Sequence, residues 1–193
     1  MDPVLEAKTA SQEPRRWNRY AYVLNNPLSN MDPDGRDVIY ANDWAKRVIN
    51  SARITSRGTN DIICDFEVDH SRSVTFDVKD LAAPPGQIRG GETDSRKTDP
   101  DKKPTEFRVL FNQEAIEKTN SDPDAVAIHE VVGHLGPDSE RTQKEYDDMG
   151  AENREKDAQE RTVQEIEQIP PADRPSLPKT HLQPTDNPKP PDV

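Results

Sequence analysis

Ala127-Ile128-His129-Glu130-Val131-Val132-Gly133-His134-Leu135-Gly136 is the stretch that decides how this chain is read. It holds two of the four histidines, with a glutamate directly after the first. Two neutral imidazole nitrogens can hold a zinc ion, and a carboxylate beside them can take a proton from a water that the ion activates. The spacing sets a geometric condition. Residues four apart share one face of a regular helix, but His129 and His134 are five apart. At roughly 100° per residue they diverge by about 140° on an ideal helix. Both can reach one ion only if the helix absorbs an extra residue, as a π-bulge does, and Gly133, lacking a Cβ, lowers the steric cost of that distortion.

The delimiters predict a helix over this stretch. Asp122 is in place to cap it, Pro123 suits its first position, and Gly136-Pro137 reads as its stop. Val126, Val131, Val132 and Leu135 give it apolar flanks.

His129-Glu130-Val131-Val132-Gly133-His134 resembles the H-E-x-x-G-H signature of the dipeptidyl peptidase III family of zinc exopeptidases. That resemblance covers six residues and implies that the five-residue spacing can serve one zinc ion. Resemblance to zinc peptidases of the gluzincin type implies a third ligand, a glutamate, from a second helix after the H-E motif. Gly150-Ala151-Glu152-Asn153-Arg154 is similar to the Ala-Glu-Asn-x-x-Arg pattern of zinc-peptidase toxin domains, with Lys156 near where the arginine belongs. Glu152 is therefore the expected third metal ligand, with Glu145, Asp148 and Glu155 as alternatives. Glu130 is the expected catalytic base. Tyr146 and Arg154 are candidate donors to the developing oxyanion.

The first 36 residues have a character of their own. Trp17-Asn18-Arg19-Tyr20-Ala21-Tyr22-Val23-Leu24-Asn25-Asn26-Pro27, followed by Asp32-Pro33-Asp34-Gly35, resembles the end of the Rhs/YD-repeat core. In that family a β-repeat shell encloses a variable C-terminal toxin, and the D-P-x-G element marks the junction. The resemblance implies Asp32, Asp34 and Arg36 as junction and self-cleavage residues, with release between Arg36 and Asp37. Arg36 stands where Leu or Trp is usual, and the isolated piece lacks the shell that would preorganise its aspartates. This chain alone is expected to stay intact. The resemblance further implies a cognate immunity protein, a protein substrate in a target cell, and delivery as part of a larger secreted Rhs protein.

Composition limits the rest. The chain has 193 residues, 31% hydrophobic and 33% charged, with 18 prolines and a net charge of −11. That is too polar for one core that uses every residue. No basic patch is visible, which disfavours a nucleic-acid partner. No apolar run approaches the roughly 18 residues of a membrane span, and the N-terminus has no apolar signal-peptide segment. Cys64 is the single cysteine, so no internal disulfide forms, and it reads as a buried strand residue.

The remaining elements follow from pattern. Residues 41–52 read as a helix capped by Asn42. Residues 61–68 and 73–78 read as two strands in a hairpin-like pair, with His70 on the turn between them. Residues 82–104 read as a long loop, 105–112 as a third strand and 113–118 as a short turn. The sequence thus predicts residues 1–36 as core end and junction, 37–169 as an α+β, zincin-like domain, and 170–193 as a Pro-rich disordered tail containing His181. That domain would have a short, mostly antiparallel sheet, an active-site helix and a second, ligand-bearing helix. The functional expectation is a zinc-dependent peptidase acting as a toxin. A cell-wall amidase or other metal-dependent hydrolase, and a non-catalytic binding module, are the alternatives.

Overall fold

A computed structural model describes residues 37–83, 89–95 and 99–177. The chain divides into two units, Met1–Arg36 and Asp37–Val193, and everything described belongs to the second. The expectations for Asp32, Asp34, Arg36 and His181 lie outside the described residues.

This is an α+β fold with a four-stranded mixed sheet. The first strand, β1 (Val38–Tyr40), leads into helices α1 (Asp43–Thr55) and α2 (Arg57–Val68), which carry the chain to β2 (Ser73–Val78). After β3 (Gly91–Ser95) and β4 (Glu106–Phe111) come two short helices, α3 (Gln113–Thr119) and α4 (Pro123–Ile128). Next is a π-helical segment, His129–Leu135, and then α5 (Gly136–Glu140), α6 (Gln143–Met149) and the long α7 (Ala151–Gln168).

The caps expected at α1 and α4 form: the Asn42 side chain accepts from the Trp44 amide, and Asp122 accepts from the Asp124 amide. One face of α1 buries Ala45, Val48, Ile49 and Ala52, the three-to-four spacing of an amphipathic helix.

Residues 61–68 are helical, not a strand. Within α2, Thr59, Ile63 and Phe66 are buried at helical intervals, while Val68 is exposed. The N-terminus of α2 is capped locally by Ser56, whose hydroxyl oxygen accepts from the Thr59 amide at 2.9 Å, and is braced from far away in sequence. The Glu165 carboxylate, on α7, accepts from the Ser56 hydroxyl and the Gly58 amide, both at 2.8 Å. Cys64 is accordingly a partly buried helix residue.

This change alters the sheet. With α1 and α2 between β1 and β2, the connection is a helical crossover, and the two strands run parallel. The strand order is β1-β2-β4-β3. The β2–β4 pair is also parallel, and only β3 runs antiparallel to its neighbour. The expected mostly antiparallel sheet is therefore corrected to a mixed one. Its register aligns Val74 with Phe107 and Phe76 with Val109, and all four side chains are buried.

Two further segments differ from expectation. The loop expected over residues 82–104 contains β3, and the turn expected after β4 is the helix α3. Among the described residues no helix is long and apolar enough to cross a membrane.

Candidate metal centre

His129 and His134 face one another because the helix changes register at the motif. From His129 to Leu135 the segment is π-helical, a geometry whose hydrogen bonds link residues five apart. Residues five apart therefore come one above the other. The two imidazole rings lie 4.9 Å apart between centroids and nearly perpendicular, at 87°.

The switch back to α geometry explains why Gly136-Pro137 does not end the helix. The Gly136 amide bonds to the Val131 carbonyl, closing the π-helical segment. Pro137 then falls in the first turn of α5, where its missing N–H leaves nothing unsatisfied.

Gly133 has a packing role in addition to its place in the π-helical segment. Its φ is not in the left-handed region, where Gly150 is the only described glycine. A Cβ at Gly133 would instead lie 3.0 Å from both the Cβ and the carbonyl oxygen of Ala158 on α7. The glycine lets α7 approach the motif closely, and this approach completes the site.

Glu155 projects from α7 to both imidazoles. Its carboxylate oxygens lie 3.7 Å from Nε2 of His129 and 3.5 Å from Nε2 of His134. One ligand atom from each of His129, His134 and Glu155 falls within 4.8 Å of the others. Zinc bonds of about 2.0–2.2 Å at tetrahedral angles separate neighbouring ligand atoms by roughly 3.3–3.6 Å. The His134–carboxylate separation falls inside that range and the His129–carboxylate separation lies 0.1 Å beyond it, and two imidazoles with a carboxylate are suitable donors. The three residues can hold a metal ion.

Glu152, the ligand expected from sequence, is exposed and not part of this group. The buried stripe of α7 is Ala158, Thr162 and Ile166. At roughly 100° per residue Glu155 falls inside that arc and Glu152 outside it. The in-phase stripe was the available signal, and it pointed to Glu155. Glu145 and Asp148 are exposed on α6, and Glu145 is engaged in a capping box with Thr142. His70 is half-exposed and sits 3.5 Å from the Asp37 carboxylate.

Glu130 and His129 are both buried. A buried carboxylate is costly unless hydrogen-bonded. Thr93 on β3 meets this need, donating to the Glu130 carboxylate at 2.7 Å. Gly91, two residues earlier, lies against the same side chain, and a Cβ there would collide with the carboxylate. Sequence reading missed both residues, because β3 has few of the β-branched or aromatic residues that mark a strand.

Electrostatics at the site are set mainly by burial and carboxylates. Burial disfavours a charged imidazole at His134, but Glu155, Glu130 and Asp138 outweigh it and hold the pKa above the ordinary value. Burial raises the Asp138 carboxyl, against the pull of His134, Arg141 and Arg154. It also raises the Tyr146 phenol, which Arg154 opposes and Asp138 and Asp94 reinforce. The Arg154 guanidinium stacks on the Tyr146 ring at 3.8 Å from its centroid and donates to the Tyr146 carbonyl at 2.8 Å. The structure thus brings the two candidate donors together.

A separate cleft of about 460 Å³ between α2 and α5, lined by Ile62, Phe66, Pro137 and Arg161, includes none of the three ligand residues. Comparison with known proteins finds no matching family model, no matching curated protein and no matching solved structure.

Proposed function

We propose that this chain is a zinc-dependent peptidase of zincin-like layout, acting as the C-terminal toxin of an Rhs-type protein. The observation that carries the reading is the convergence of His129, His134 and Glu155 next to a buried Glu130. The resemblance of residues 16–36 to the end of an Rhs core supports the toxin context, and with it delivery inside a larger secreted protein and a cognate immunity protein.

His129, His134 and Glu155 would hold the zinc ion, which when bound would supply Lewis acidity and lower the pKa of water toward neutral. Glu130 takes the proton from the attacking water and returns it to the leaving amine. Thr93 and Gly91 hold that carboxylate in place. The Tyr146 phenol, kept protonated by its raised pKa, remains a hydrogen-bond donor, whereas the Arg154 guanidinium is engaged with the Tyr146 ring and carbonyl, so Tyr146 is assigned the oxyanion. The edge strand β3 suits a peptide substrate. One side pairs with β4, and the strand packs against the π-helical segment. An extended chain can therefore add alongside it by backbone hydrogen bonds.

The test is Glu130→Gln assayed on peptide libraries and on peptidoglycan, with metal content measured alongside. Zinc retained with at least a 10²-fold loss of peptide hydrolysis is expected for removal of a general base. Loss of zinc, or full activity, defeats the role assigned to Glu130. Cleavage of peptidoglycan alone makes the enzyme an amidase.

A further inference from the structure

The face of α7 that supplies Glu155 carries a second polar group toward the motif. The Thr162 hydroxyl lies 3.0 Å from Nδ1 of His129 and 2.7 Å from the Ala158 carbonyl oxygen. His129 and Thr162 are each only 2% exposed, so solvent does not compete for these contacts.

The proton count settles the direction of each bond. A hydroxyl has one proton, and a carbonyl oxygen can only accept. If Thr162 gave its proton to His129, two oxygen atoms would face each other at 2.7 Å with only lone pairs between them. The proton therefore goes to Ala158. The hydroxyl oxygen then accepts from His129, and Nδ1 must carry the hydrogen. A neutral imidazole protonated at Nδ1 has its lone pair on Nε2, the nitrogen that faces Glu155.

We propose that Thr162 is a positioning residue that fixes the tautomer and orientation of His129, so that Nε2 is presented to a divalent cation. This rests on reading His129, His134 and Glu155 as a metal site. The partner behind a ligating histidine is commonly a carboxylate or a backbone carbonyl. A carboxylate here would add a third acidic group beside the buried Glu130 and the partly buried Glu155. A hydroxyl whose own proton is committed orients the ring without adding charge. The hydroxyl is anchored to Ala158, the residue that packs on Gly133, so one turn of α7 sets both the helix approach and the ring.

The experiment compares wild type, Thr162→Val and Thr162→Ser by zinc affinity in chelator competition, by the cobalt absorption spectrum, and by nitrogen NMR of the zinc-loaded histidine rings. Thr162→Val is expected to weaken zinc binding about 10–100-fold and alter the cobalt bands. Thr162→Ser, which restores the acceptor, should stay close to wild type in both. In zinc-loaded wild type the His129 proton should sit on Nδ1, and this measurement decides the matter if the valine variant fails to fold. Wild-type affinity in Thr162→Val, equal losses in both variants, or a proton on Nε2 would each overturn the proposal. Wild type that takes up neither zinc nor cobalt would overturn the metal-site reading itself, and this inference with it.

Discussion

Gly133→Ala is a perturbation whose effect can be worked from distances. The added Cβ would stand 3.0 Å from the Cβ and carbonyl oxygen of Ala158 and 3.2 Å from its Cα. Carbon atoms pack best at about 3.5–4.0 Å, so α7 must retreat by roughly half an ångström or more. The obstacle is helix backbone, not the end of a flexible chain, and such overpacking costs about 1–3 kcal/mol. Replacing glycine by alanine in a helix returns at most about 1 kcal/mol. The net expectation is about 1–2 kcal/mol of destabilisation, or a fall of roughly 3–8 °C in Tm for a domain of this size. The retreat also carries Glu155, three residues before Ala158, away from the two imidazoles, so zinc affinity should fall with stability. Calorimetry of the metal-free protein and chelator competition measure the two effects separately. A variant with unchanged Tm and unchanged zinc affinity would refute the claim that this glycine sets the approach of α7.

Two other expectations follow from the electrostatics. Burial, reinforced by Asp122, raises the Asp124 carboxyl above its ordinary value despite hydrogen bonds from Ser51 and Thr55. The folded chain therefore binds this proton more tightly than the unfolded one, so the group's stabilising contribution is present below the unfolded value and is lost as pH rises through the folded value. Asp124→Asn should accordingly compare better with wild type at pH 7 than at pH 4 in thermal melts, and the reverse ordering would refute the burial argument. Tyr146→Phe should lower kcat for peptide hydrolysis by about 10²–10³-fold with zinc content unchanged. An unaffected kcat would remove Tyr146 as the oxyanion donor and leave Arg154.

The parts of the site legible in sequence were those encoded locally. The five-residue spacing of His129 and His134 requires a departure from α geometry, and the π-helical segment supplies it. Asn42 and Asp122 cap their helices through their own neighbours. What was misread depends on distant partners. Ile62, Ile63 and Phe66 look like strand residues, although Ser56 caps their helix locally; the distant part of that cap is Glu165, more than a hundred residues away, which accepts from Ser56 and Gly58. Gly91-Glu92-Thr93-Asp94-Ser95 has little strand character and is a strand through pairing with β4. Pro137 looks like a terminator because only the register change at Val131 makes its position a first turn. Glu155, not Glu152, lies in phase with the buried stripe on α7, and a short motif resemblance carries no information on that phase.

Elemental analysis of purified wild type, Glu155→Gln and Glu152→Gln checks whether His129, His134 and Glu155 hold one zinc ion. One equivalent of zinc in wild type and in Glu152→Gln, with zinc lost from Glu155→Gln, is the predicted result. Wild type without zinc, or zinc lost from Glu152→Gln but kept by Glu155→Gln, would contradict it.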